Sequence, residues 1–272
     1  MVAQVLQREG SAELVMQSGV STLFTAVYVT AEKYFAEAET VKLRDRIAGG
    51  YGYRQFAAEY SQSPERPDPF ESFTAGEATR NSDFATGIAN QLNGEMVRLF
   101  DSLQLVVAEI LAGLVFNYGL GTDFLTKFVR GCQAWSCLQL NYAEPQRAEN
   151  DYIHEEHEDG HLLTLASSTS EGLEIKARGR GFVAVTPLPP SVLVMPGDIL
   201  SLLTGGQIQP LYHRVRAVRS QRHRYALVHF VDPDPYTCSP WIVTEMNRNV
   251  DISQRILANP ARFGLERLDA QK

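Results

Sequence analysis

The chain has little cysteine, no long uninterrupted apolar run and no excess of basic charge. Its three cysteines, Cys132, Cys137 and Cys238, are odd in number and spread apart, which argues against a disulfide framework and for reduced thiols. The longest apolar stretch, Leu105 to Phe116, is interrupted by Glu109 and falls short of the roughly 20 residues that a bilayer crossing needs. The N-terminus lacks a basic region followed by an apolar run, so no signal peptide is expected. Lys and Arg number 25 against 32 Asp and Glu, a formal net charge of −7, whereas nucleic-acid binding leaves a basic footprint. These absences lead to the expectation of a soluble, cytoplasmic protein with neither nucleic acid nor membrane as a partner. Several catalytic signatures are missing too. There is no Gly-x-Ser-x-Gly and no P-loop, and Gly50-x-Gly52 lacks the third glycine of a dinucleotide fingerprint. Cys132 and Cys137 have the wrong spacing for zinc-knuckle ligands and read as small core residues.

What is present fits one large domain: 272 residues, 44% of them apolar. Residues 1–20 are weakly patterned. A helix is expected from Thr30, read as its N-cap, until Gly49-Gly50 stops it. Between Tyr51 and Phe73 the prolines and glycines predict an ordered loop. From Asn81 to Phe116, apolar residues including Ile88, Leu92, Phe100, Leu103, Val107 and Leu111 recur at helical intervals. A shorter helix follows over Asp123 to Val129. From Cys132 on, eight short apolar runs alternate with turn residues: Ser136–Asn141, Leu162–Ala166, Leu173–Ala177, Phe182–Thr186, Val192–Val194, Ile199–Leu203, His213–Val218 and Tyr225–Phe230. Such spacing predicts a β-sandwich or barrel, ending in a helix near Val250 to Leu257 and a polar tail.

The stretch Ile153 to Thr164 carries the chemistry. His157 and Asp159 stand two apart before an apolar run, and on a strand both side chains would share one face. His213 offers a second imidazole. Two histidines and one carboxylate on one face of an Fe(II) ion leave the opposite positions open for O2 and substrate. His154 and His161 are competing candidates close by. A solvated charged turn is the plain alternative for Glu155, Glu156 and Glu158, but it leaves His213 unexplained. Similarly, Arg178-Gly179-Arg180-Gly181 is more simply a hairpin tip than an RNA-binding patch.

From about Leu138 to Pro233 the ordered motifs resemble the isopenicillin-N-synthase-like non-haem iron oxygenases. They are His157-Glu158-Asp159, Leu163-Thr164-Leu165, Gly172-Leu173-Glu174-Ile175, Gly197-Asp198, Leu203-Thr204, His213-Arg214-Val215, Arg224 and Phe230. Gly52-Tyr53, Arg66-Pro67-Asp68 and Glu71-Ser72-Phe73 look like the N-terminal half of the same family. The resemblance implies a mainly β fold, a double-stranded β-helix or jelly roll with flanking helices. Its parts would be a helical segment and substrate loop over 1–130, an oxygenase core over 131–235 and a covering segment over 236–272.

The resemblance further implies an Fe(II)- and 2-oxoglutarate-dependent dioxygenase using O2 to oxidise a small molecule in a biosynthetic pathway. His157, Asp159 and His213 would bind the metal, and Asp159, being a carboxylate, disfavours a halogenase. Arg224 would pair with the far carboxylate of 2-oxoglutarate through its planar fork, with Arg222 as a substitute. The family usually has Arg-x-Ser here, and Ala226 lacks that hydroxyl. Tyr142 would contact the co-substrate or else be a buried strand tyrosine. Two alternatives stand beside this reading: an Fe(II) oxidase that does not use 2-oxoglutarate, and a jelly-roll binding protein without turnover. The substrate is expected to be apolar or aromatic, walled by 50–73 and 236–272 through Tyr51, Tyr53, Phe56, Tyr60, Phe70, Trp241 and Met246.

Overall fold

The computed structural model of the protein describes residues 2–264. Its first half mixes helices and strands. In chain order it runs α1 (Val2–Glu9), β1 (Ala12–Val15), α2 (Ser18–Phe35), α3 (Glu39–Lys42), β2 (Arg46–Ile47), β3 (Tyr51–Arg54), β4 (Phe70–Gly76), α4 (Gly87–Asn117) and α5 (Thr122–Trp135). The second half is mostly strand: β5 (Cys137–Ala143), β6 (Tyr152–His157), β7 (Leu163–Ser168), β8 (Leu173–Lys176), β9 (Phe182–Ala184), β10 (Ser191–Pro196), α6 (Asp198–Leu203), β11 (His213–Arg216), β12 (Arg224–Val231) and α7 (Ile252–Arg262).

The strands form two antiparallel sheets, an eight-stranded one in the order β1-β10-β7-β12-β5-β4-β3-β2 and a four-stranded one in the order β6-β11-β8-β9. Side-chain alternation divides the large sheet between two cores. Leu138, Leu140 and Tyr142 of β5 and Leu227 of β12 face outward into a helical layer with Phe24, Leu92, Phe100 and Leu103. The opposite face sends Phe70, Ala143, Ala166, Leu193 and Met195 inward against Ile153, Leu173, Ile175 and Val215 of the small sheet. Strands with a period of two that bury both faces against different partners define the jelly roll with helices packed outside.

Helix α4 begins where the Thr86 hydroxyl accepts a hydrogen bond from the Ala89 amide at 3.2 Å, an N-cap that satisfies one of the free amides of the first turn. It is long and apolar enough to cross a membrane. Here its apolar face is buried against α2, α1 and strands β4 and β5, as in a core helix.

Several sequence expectations are corrected. Thr30 lies inside α2 and is buried, because Ser18 to Phe35 is one helix whose polar positions hid its start. Residues 1–20 hold α1 and the edge strand β1, which pairs with β10, and 51–73 contains β3 and the beginning of β4. The segment 1–130 therefore contributes four strands to the large sheet and is not only helical. Ile199 to Leu203 is a helix and not a strand. All five residues are buried, and an apolar run buried all round carries no periodicity that separates the two. The expected polar tail after Gly264 lies outside the described residues.

Candidate metal centre and co-substrate cavity

Strands β6 and β11 pair so that His213 stands opposite His157. The chain leaves β6 at His157 and turns, and Asp159 sits in that turn, not on the strand. The turn is fixed by the Asp198 amide donating to the Asp159 carbonyl at 2.9 Å. Both imidazole Nε2 atoms lie 3.7 Å from Asp159 Oδ1, and the three donor atoms fall within 4.8 Å of one another. The backs of the rings are held: His157 Nδ1 lies 2.6 Å from the Glu155 carbonyl and His213 Nδ1 3.2 Å from the Leu211 carbonyl. A carbonyl only accepts, so each Nδ1 carries the proton and each Nε2 turns its lone pair toward Asp159. The Thr164 hydroxyl donates to Asp159 Oδ2 at 2.5 Å, orienting the carboxylate from behind.

Electrostatics favour the ligand forms. Burial, reinforced by the facing His213, pushes the His157 imidazole down to about 4, so it is neutral near pH 7. Burial alone would raise the Asp159 carboxyl, but the imidazoles of His213 and His157 outweigh it and hold it below the usual carboxylate range. Two neutral nitrogens and one carboxylate oxygen with an open side fit Fe(II) as a facial triad.

The competing histidines are committed elsewhere. His154 Nδ1 lies 3.0 Å from Asp68 Oδ2, and His161 Nδ1 lies 2.7 Å from Asp232 Oδ2.

Behind the triad, inside the jelly roll, lies a cavity lined by all three triad residues and by Asn141, Thr164, Ser168, Arg224 and Ala226. Arg224 is 5% exposed. Its Nε donates to the Glu171 carbonyl at 3.3 Å, and it forms no ion pair among the described residues. Burial without an anion beside it pushes its guanidinium down to about 10. A carboxylate entering this cavity would supply the missing counter-charge. Arg222 is exposed and takes no part.

Tyr142 is a correction. It faces the helical layer, stacked on Phe35 with ring centroids 5.0 Å apart, its hydroxyl 2.8 Å from His223 Nδ1. Its neighbour Asn141 has the opposite parity and lines the cavity. Counting parity along β5 from the apolar Leu138 and Leu140 would have found Asn141. The hydroxyl that Ala226 lacks has a neighbour as well, because Ser168 of β7 stands opposite Ala226 in the ladder and lines the same cavity. Cys137, expected in the core, lines an outer cavity at the mouth together with Tyr51, Tyr60 and Phe70. Of the C-terminal segment, Asn259, Pro260 and Phe263 reach that cavity, whereas Trp241 packs against Tyr118, Phe124 and Phe128. Tyr53, Phe56 and Met246 do not line it.

Residues 134–233, the segment that holds the whole triad, match the model of the 2OG-Fe(II) oxygenase superfamily. Gibberellin 2-beta-dioxygenase 3 of Arabidopsis thaliana is 32% identical over 114 residues, covering 40% of this chain and 33% of that protein. A probable inactive 2-oxoglutarate-dependent dioxygenase, AOP2, of the same plant is 39% identical over 80 residues, 29% of this chain and 20% of its own length. The chain thus matches a third or less of the length of these relatives. Among solved structures, a full-length Neurospora crassa protein in complex with alpha-KG superposes with a TM-score of 0.76 at 19% identity, covering 94% of this chain and 89% of that one. That likeness extends the same fold over nearly the whole chain.

Proposed function

We propose that the protein is a non-haem Fe(II)- and 2-oxoglutarate-dependent dioxygenase that oxidises a small molecule. The observation carrying this reading is Arg224, a buried guanidinium without an anionic partner among the described residues, in the same cavity as His157, Asp159 and His213. A binding protein without turnover would have no use for both halves of that arrangement. Bound at the triad, Fe(II) with 2-oxoglutarate supplies an O2-driven oxidation of a C–H bond, coupled to decarboxylation of the 2-oxo acid to succinate and CO2.

The chain's own residues have separable tasks. His157, His213 and Asp159 hold the ion with one side free, and Thr164 fixes which carboxylate oxygen faces it. Arg224 receives the far carboxylate in a low-dielectric site, where a planar bidentate pair gives both energy and orientation. The apolar walls Leu173, Met195 and Val215 exclude water from the region between. Three unpaired cysteines fit a reducing, cytoplasmic setting on this reading, and a biosynthetic role is part of the same proposal.

Ala226 favours the second reading, an Fe(II) oxidase whose substrate supplies all the electrons. The two part on product analysis. Purified protein with Fe(II), ascorbate and 2-oxoglutarate should release succinate under O2, and Asp159→Ala should not. Oxygen consumption with a substrate present but no succinate formed would assign the chain to the second reading.

A further inference from the structure

On β5 the side chains of Gln139 and Asn141 share the inner face of the large sheet, and Asn141 lines both the inner cavity and the outer one at its mouth. An asparagine amide can present either its oxygen or its N–H2 group to a ligand. Which end faces out depends on what holds the other. Here that choice is made by a chain of hydrogen bonds that starts at Arg54 of β3, 9% exposed.

A guanidinium only donates. Arg54 Nη1 bonds the Gly50 carbonyl at 2.9 Å, Nε meets Glu59 Oε1 at 2.9 Å, and Nη2 bonds both Thr74 Oγ1, at 2.8 Å, and Gln139 Oε1. The Gln139 oxygen is therefore turned toward Arg54. Its Nε2 is turned the other way, 3.3 Å from each oxygen of the Glu59 carboxylate, which is ion-paired to Arg54 and only accepts. A donor on one side and an acceptor on the other leave the buried Gln139 amide a single orientation. That Nε2 also donates to Asn141 Oδ1 at 2.8 Å, so the Asn141 oxygen is taken. What remains is Asn141 Nδ2, which has no partner among the described residues and is not one of the enclosed, unpartnered polar atoms. It keeps open surface, on a side chain whose surroundings are the two cavities.

Across the ladder Asn141 stands opposite Ala226, two residues from Arg224 on the same face of β12. Between the triad and Arg224, a 2-oxo acid presents carboxylate and keto oxygens, which only accept. We propose that Arg54 is a positioning residue for the co-substrate: acting through Gln139, it holds the Asn141 N–H2 group toward an oxygen of the 2-oxo acid. A reversed amide would set its own oxygen against that oxygen. The relay makes a two-way amide a fixed donor before the ligand arrives, so less is lost in ordering it on binding. This deepens the function proposed above and rests on it.

Gln139→Met cuts the relay at nearly constant side-chain length, and Arg54 keeps Glu59, Gly50, Ser72 and Thr74. Calorimetric titration of 2-oxoglutarate into the full chain loaded with Zn(II), a redox-inert stand-in, reads the effect. The dissociation constant should rise at least about tenfold in Asn141→Leu, which loses a hydrogen bond to a charged ligand, and about fivefold in Gln139→Met, which loses only its orientation. In the Asn141→Leu background Gln139→Met should cause no further loss, because the relay acts through that amide alone. A merely structural role for Gln139 would add the two losses instead. If Gln139→Met does not fold, the double variant Arg54→Met, Glu59→Gln removes both anchors of the Gln139 amide without stranding a charge. It should give the same rise, again only while Asn141 is present. Wild-type affinity in the folded relay variant, or a loss of equal size with and without Asn141, would overturn the proposal. Failure of 2-oxoglutarate to bind the wild type would overturn the proposed function, and this inference with it.

Discussion

His213 and His157 face each other across the β11–β6 ladder, their ring centroids 4.3 Å apart. One strand pair thus sets both imidazoles, and only the carboxylate has to be brought in by a turn. That turn makes Asp159 depend on its support. Replacing Thr164 with Val removes the hydroxyl behind Oδ2 while keeping the side chain's shape. Loss of such an outer partner should weaken metal binding by about 10–100-fold, with little change in Tm. A Thr164→Val protein with wild-type Fe(II) affinity would show that the hydroxyl does not orient the ligand.

Arg224 predicts effects of opposite sign with and without the co-substrate. A buried, unpaired guanidinium is costly to the free protein, so Arg224→Met should raise its Tm. The same change should remove the stabilisation that 2-oxoglutarate gives the wild type. In Arg224→Ala the apparent constant for 2-oxoglutarate should rise at least about a hundredfold, because breaking a buried pair costs roughly 3–5 kcal/mol. Arg224→Lys should recover part of it, as a point charge without the fork. Thermal melts with and without 2-oxoglutarate check both signs.

His229 should shape the acid limb of stability. It is fully buried beneath Phe100, its Nδ1 bonded to the Cys137 carbonyl at 3.1 Å and its Nε2 without a partner among the described residues. Burial pushes its pKa down to about 4. Above the unfolded value of about 6.5 neither state is protonated and the contribution is intact. As the pH falls from there toward 4 the unfolded chain takes up a proton that the folded one refuses, so stability drops by on the order of 3 kcal/mol. Urea midpoints of metal-free protein between about pH 7 and pH 4 should fall steeply for the wild type and less steeply for His229→Leu. Identical slopes would remove His229 from the account.

Gly160 allows α7 to close on the site. A Cβ there would overlap the Asn259 amide, so Gly160→Ala should dislodge the end of α7 rather than disturb the sheets. Limited proteolysis should cut near α7 faster in that variant, with far-UV circular dichroism nearly unchanged. Equal protease resistance would mean that Asn259 finds another seat.

The parts legible in the sequence were those written locally. The strand rhythm after Cys132 was visible in alternating apolar runs and turns, and seven of the eight runs are strands. His157 and Asp159 were readable as neighbours, and His213 through its place in the His213-Arg214-Val215 motif. What stayed hidden depends on which face a residue takes or on distant partners. Tyr142 and Asn141 differ by one position, and only the packing of Leu138 and Leu140 under the helices decides which faces the cavity. His154 with Asp68, and His161 with Asp232, are pairs made by the fold across long stretches of chain, and no spacing rule announces them. The helix at α6 was hidden because complete burial erases periodicity.

Anaerobic addition of Fe(II) and then 2-oxoglutarate to the purified chain tests the central claim most directly. A 2-oxo acid chelated to Fe(II) held by His157, Asp159 and His213 should give a metal-to-ligand charge-transfer band near the visible range. That band should be absent in Asp159→Ala and should need far more 2-oxoglutarate in Arg224→Ala. Tight Fe(II) binding with no such band at saturating 2-oxoglutarate would contradict the account.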